Sequence, residues 1–135
     1  MPDLFARFVT NRNHIVQMNR VLRLTSGCFK IRKTEDCLSV MCIDGCCYED
    51  VCNIGRKLLE RIFGYGQLKN DDICSIKYHE EGNLFCSVTQ FGRDKRHFEI
   101  HPGKTELEEL KLFDASKTCD LIAKKLSEHS KAFRI

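Results

Sequence analysis

Six of the nine cysteines, Cys28, Cys37, Cys42, Cys46, Cys47 and Cys52, fall within residues 28–52, and no other segment is so rich in groups that bind metal or react. Zinc ligands usually come in pairs two to four residues apart, because a tight turn must aim both thiolates at one ion. Cys42 and Cys46 have that separation, but no second pair with its own turn accompanies them. Cys37, Cys42 and Cys47 would have to converge from a strand, a strand end and a helix start. The spacing therefore predicts thiols packed as small apolar residues and no metal site. Cys46 and Cys47, at the start of a helix, stand where a thiol pKa is lowered and redox chemistry is favoured.

The five histidines, His14, His79, His97, His101 and His129, lie in unrelated places, although His97 and His101 share one face if their segment is a strand. A Cys–His nucleophilic pair would meet only in the fold, and no flanking signature marks one. Gly64-Tyr65-Gly66 lacks the strand-before, helix-after context of a phosphate loop and reads as a helix terminator. The acidic run His79–Asn83 reads as a solvated hairpin tip, with a landing point for a basic partner as the alternative. No catalytic residue, metal ligand or cofactor is expected.

The elements that must position these groups follow from periodicity. From Tyr48 to Thr89 the chain reads as a helix followed by two strands. Val51, Ile54, Leu58, Leu59, Ile62 and Phe63 recur at helical steps, with Glu49 and Asp50 early and Arg56, Lys57 and Arg61 late, matching the helix dipole. Gly64 and Gly66 would end that helix. Cys74, Ile76 and Tyr78, a turn at Glu80–Asn83, and Leu84, Cys86 and Val88 then alternate as a hairpin. An earlier hairpin is expected from Cys28 to Asp44, through Phe29 and Ile31, a turn at residues 34–36, and Leu38, Val40 and Cys42. The two hairpins look alike, through internal duplication or through the common grammar of hairpins.

His97 to His101 predicts a further strand, stopped at Pro102-Gly103. Thr105-Glu106-Leu107-Glu108 is a capping box. Leu112, Ala115, Cys119, Ile122 and Leu126 form an apolar seam, so a helix is expected from about Glu106 to His129, bent near Asp114. Residues 2–24 read as a short amphipathic helix through Leu4, Phe5, Phe8 and Val9, although Val21, Leu22 and Leu24 fit a strand. The expectation is one α+β domain spanning 1–135, an antiparallel sheet with helices packed on one face in the order (α)ββαβββα, and residues 1–24 as a basic segment, helical or partly flexible.

Composition narrows the classes. With 42% apolar and 30% charged residues in 135, the chain is globular, and nothing approaches a membrane span. Nine cysteines, an odd number, point to a reducing intracellular compartment. Residues 1–33 hold seven basic side chains against Asp3, a charge of +6, which leaves −3 for the rest of a chain whose total is +3. The basic front end reads as a helix with a solvated face, as an RNA- or acid-binding arm, or as a mitochondrial transit peptide. A cytoplasmic location is expected, with mitochondria as the alternative.

Tyr48-Glu49-Asp50, Arg56-Lys57-Leu58, Ile76-Lys77-Tyr78, Gly82-Asn83-Leu84, Val88-Thr89, Glu109-Leu110 and Phe113 together resemble the smaller Alu-domain protein of the signal recognition particle. That resemblance covers about residues 48–130 and implies helix, three antiparallel strands, helix, and RNA binding as a heterodimer. The full element order is similar to roadblock/light-chain-7 adaptors, which dimerise. Ile76 to Val88 also resembles the acidic hairpin of Phox/Bem1 β-grasp modules. The function expected is a non-enzymatic interaction module, or adaptor, that dimerises or docks onto a protein partner through its sheet and helices. The alternative is an RNA-binding ribonucleoprotein subunit. The residues expected to contact RNA or an acidic partner are Arg20, Arg23, Lys30, Arg32, Lys33, Lys77, Arg93, Lys95 and Arg96.

Overall fold

The computed structural model describes residues 2–31, 35, 37–77, 86–102 and 115–135, with side chains in the last stretch from Cys119 onward. β1 (Leu4–Val9) is central in a six-stranded sheet with β4 (Leu38–Cys42), β5 (Gly64–Lys69), β6 (Ser87–Gln90), β7 (His97–His101) and β8 (Lys131–Arg134). The order is β6-β7-β4-β1-β5-β8 and every pairing is antiparallel. β2 (Ile15–Met18) and β3 (Val21–Leu24) form a separate hairpin. Three α-helices, α1 (Tyr48–Leu58), α2 (Asn70–Cys74) and α3 (Ala115–His129), and two short 3-10 turns, Arg12–His14 and Ser26–Phe29, complete the described elements. The class is α+β, as expected. None of the described helices is long and apolar enough to cross a membrane.

β1 is where the helical expectation for the front end fails. Phe5, Ala6, Phe8 and Val9 are all buried, Phe5 and Val9 in one apolar cluster and Ala6 and Phe8 in the other. A strand buried on both faces loses its alternation and mimics the three- and four-residue steps of a helix. Burying a large apolar side chain contributes about 1.5–3 kcal/mol, whereas helix propensities differ by roughly 0.7 kcal/mol per residue or less. Pairing with both β4 and β5 lets the strand bury two of the four on each face, so the sheet wins.

The first face of the sheet carries Phe5, Val9, Leu38, Val40, Leu68, Val88, Phe98 and Ile100. It is covered by Ile122, Ala123 and Leu126 of α3, Ile73 of α2, Phe29 and the base of the β2–β3 hairpin. Helices cover both faces rather than one, because α1 lies on the other side. There Val51, with Ile54 and Leu59 at its margin, packs on Ala6, Phe8, Met41 and Tyr65. Tyr65 stacks on Phe133 of β8 at 4.9 Å.

Other expected boundaries move for identifiable reasons. The expected partners Phe29 and Ile31 do not form a strand against Leu38–Cys42. Phe29 closes a 3-10 turn, and β4 pairs with β1 and β7. The first hairpin, and with it the duplication, is not formed. Cys74 ends α2 instead of opening a strand, and the turn at Glu80–Asn83, with Tyr78 and Leu84, lies outside the described residues. The capping box Thr105–Glu108, Leu112 and the expected bend at Asp114 also lie outside them. The glycines expected to terminate α1 belong to β5. A Cβ on Gly64 would strike the Phe133 carbonyl of β8, and one on Gly66 would meet the Leu24 side chain. These glycines permit close approach and terminate nothing.

β1 pairs with β5 over six residues but with β4 only at Phe5↔Cys42 and Ala6↔Met41. Beyond Ala6 a groove of about 240 Å³ opens between β1, β4 and the end of α1. Arg7 ties this region together: Nη1 donates to the Ser39 carbonyl at 2.9 Å and Nε to the Cys28 carbonyl at 3.0 Å. The bond to the Cys28 carbonyl is half-buried and contributes about 1.5–3 kcal/mol as a charge-assisted bond, while the exposed one to Ser39 contributes less. Arg7→Leu should therefore lower unfolding free energy by about 2–4 kcal/mol in urea titrations. Gly64→Ala should cost about 1–3 kcal/mol by the same measurement, as overpacking against a backbone atom does.

Candidate functional site

The register of β4 against β7 brings together groups that are remote in sequence. Ser39 lies opposite Glu99 and Met41 opposite His97, so residues 37, 39 and 41 share a face with 97, 99 and 101. This is the face that α1 covers over β1, β4 and β5. Toward β7 and β6 it is polar instead, bearing His97, Glu99, His101, Ser87 and Thr89. The Cys37 thiol donates to Glu99 Oε2 at 2.9 Å, and His101 Nε2 lies 3.3 Å from Glu99 Oε1. One donor atom from each of the three lies within 4.8 Å of the others. The carboxylate therefore stands between thiol and imidazole, and His101 is not placed as a base on the thiol.

His97 and His101 share a strand face as their spacing predicts, and His97 packs edge-on against Phe91 at 5.4 Å. Sequence reasoning missed Glu99 between them, although the alternation His97-Phe98-Glu99-Ile100-His101 carried the signal. Cys37 had no such signal, since only β4–β7 pairing brings it there.

The other cysteines do not converge. Cys42 packs at the margin of one apolar cluster and Cys46 at the margin of the other, so the pair with metal-like spacing is split across the sheet. Arg96 lies between their segments, its Nη1 donating to the Cys42 carbonyl at 3.0 Å and lying 3.4 Å from Cys46 Sγ. At the start of α1, Asp50 Oδ2 accepts from the Cys47 amide at 3.1 Å, which holds the Asp50 carboxyl below its ordinary pKa. Burial pushes Cys28 up to about 11, against the opposing charge of Arg7, and Cys86 up to about 12. All nine cysteines are free thiols.

The seven expected basic contacts among the described residues are not gathered into one patch. Arg20 and Arg23 stand exposed on the β2–β3 hairpin, which packs toward β8 at one sheet edge. Arg93, Lys95 and Arg96 stand exposed at the β6–β7 turn on the opposite edge. Lys30 lies 3.8 Å from Asp120 of α3, and Lys77 is exposed beyond α2. Arg32 and Lys33 lie outside the described residues.

The hairpin is the other salient surface. Ile15 and Leu24 at its base are buried, whereas Met18 and Val21, paired across the strands at its tip, are 59% and 49% exposed. Asn19 and Arg20 connect them with φ of 51° and 66°, both positive, as a tight type I′ turn requires. Asparagine tolerates that conformation; arginine at the second position incurs about 1–2 kcal/mol of strain that glycine would avoid.

The buried thiols give a pH dependence with a definite sign. A thiol titrating near 9 when unfolded and near 11–12 when folded keeps its proton in the native state as the unfolded chain loses one. Its contribution is fully present below about pH 9 and is lost as pH rises toward the folded value. The urea midpoint should therefore fall between pH 8.5 and about 10.5, less steeply in Cys86→Val. At pH 8 a thiol alkylating agent should modify exposed Cys47 rapidly and Cys28, Cys52 and Cys86 only on unfolding.

The strands that succeed α1 are not a simple meander: β5 is separated from β7 and β6 by β1 and β4, which the front end of the chain supplies. The first described element is a strand, β1. Comparison with protein-family models finds no match, and neither a curated protein nor a solved structure matches the chain.

Proposed function

We propose that the protein is a non-enzymatic interaction module that docks onto a protein partner through the tip of the β2–β3 hairpin. The exposed Met18–Val21 pair around the Asn19–Arg20 turn carries this reading. The buried base holds the tip in place, so little ordering entropy remains to be lost on binding. Met and Arg are enriched at protein interfaces, and Arg20 occupies a position where its backbone is strained. The partner that fits is a protein with an apolar groove rimmed by acidic residues, complementary to Met18, Val21, Arg20 and Arg23. A second copy of this chain fits poorly, since two tips facing each other would oppose their own arginines. Stacking of bases would call for aromatic side chains on the strands, and the hairpin has none.

A photo-crosslinking residue at Met18 in the native cells should capture a protein, nuclease treatment leaving the adduct unchanged. With that partner purified, Met18→Asp should weaken binding at least tenfold, as loss of an interface anchor does. Arg20→Gly should also weaken it while stabilising the hairpin in urea titrations, which separates lost contact from lost fold. Adducts with RNA alone, adducts with a second copy, or unchanged affinity in Met18→Asp would each overturn the reading.

A further inference from the structure

The polar half-face of the sheet carries an inference independent of the hairpin. We propose that Cys37, Glu99 and His101 form a binding site for one zinc-class transition-metal cation, with three protein donors and a fourth position open to solvent. The donor set is a thiol sulfur, an imidazole nitrogen and one carboxylate oxygen. Calcium and magnesium require an oxygen shell that this set does not supply, whereas sulfur and nitrogen beside one oxygen suit zinc and its neighbours. Bond lengths of about 2.0–2.3 Å in a tetrahedron place donor atoms roughly 3.2–3.7 Å apart. The thiol and imidazole already lie 2.9 Å and 3.3 Å from the two oxygens of the same carboxylate. One donor atom from each of the three lies within 4.8 Å of the others, so the side chains would draw together to centre an ion among them.

The backbone supplies the rigidity such a site needs. Glu99 and His101 are two residues apart on β7, an inner strand paired on both sides, and Cys37 immediately precedes β4 in the same register. Glu99 keeps only 15% of its side-chain surface exposed, while His101 keeps 36%, so the ion would enter beside the imidazole. The cross-strand neighbours are small hydroxyl side chains, Ser39 and Thr89 opposite Glu99 and Ser87 opposite His101, which leave room for a water as fourth ligand. On binding, the Cys37 Sγ–H proton passes to solvent, and the thiol–carboxylate hydrogen bond and the imidazole–carboxylate contact are exchanged for metal bonds.

Cobalt(II), titrated into the reduced full-length chain, is the direct probe. One equivalent should produce a thiolate-to-cobalt charge-transfer band in the near ultraviolet that zinc abolishes. Cys37→Ser should remove the band. Glu99→Gln and His101→Asn should each weaken zinc at least tenfold in chelator competition, whereas Cys47→Ser should bind as the parent does. Circular dichroism of each variant confirms that the sheet is intact. Zinc should also raise the melting temperature of the parent chain and not that of Cys37→Ser. A zinc-competed band that persists in Cys37→Ser would assign the metal to other thiols, and the absence of any such band would leave a hydrogen-bonded polar cluster; either overturns the site.

Discussion

β1 pairs with β5 along its length and with β4 at Phe5 and Ala6, beneath an apolar layer on each face, and this double burial constrains where the other elements sit. Phe5 and Val9 require a cover on one side, which α3, α2 and the hairpin base provide. Ala6 and Phe8 require one on the other, which α1 provides. With no solvent face of its own, β1 cannot be an edge, so the front of the chain occupies the middle of the sheet. Later strands are forced outward, with β6 and β8 at the edges.

One consequence is an unequal second face. An eleven-residue helix spans only part of a six-stranded sheet, and α1 sits over the half where Met41, Tyr65 and Phe133 give it apolar ground. The other half has no need of apolar residues there and carries serine, threonine, histidine and glutamate. Cys37, Glu99 and His101 gather where this polar half meets β4. Among the described residues α1 covers one half only, and the chemistry of the two halves differs accordingly.

The hairpin shows the complementary economy. Its base contributes Ile15 and Leu24 to the core beside Gly66, where the missing Cβ lets Leu24 approach β5. Its tip contributes nothing to the core, and yet it presents two exposed apolar side chains and a strained arginine. Packing accounts for the base and leaves the tip unexplained, which is why the tip, rather than the sheet surface, is the place to look for a partner.

Much of the fold was legible where one face only is buried. Val51 on α1, Ile122 and Leu126 on α3, and the alternation of β7 read correctly because water on the opposite face imposes a period. Glu49 and Asp50 early and Arg56 and Lys57 late in α1 were equally readable, since the helix dipole acts within a single turn, whereas Arg61 falls beyond the end of the helix at Leu58. Where burial is two-sided or absent, periodicity misleads: β1 resembled a helix, and β8 was too short to show any pattern. Gly64 and Gly66 resembled terminators because a sequence shows a glycine but not the carbonyl or leucine that needs its empty space. By itself, then, the sequence determined the α+β class, the amphipathic helices and the basic front end, all consequences of local spacing. The tertiary structure alone decided that Cys37 meets Glu99 and His101, that Cys42 and Cys46 part to opposite faces, and that Arg20 and Arg23 stand at the other edge of the sheet from Arg93, Lys95 and Arg96. Those outcomes depend on strand register and strand order, which couple residues sixty positions apart and leave no mark on their neighbours in the chain.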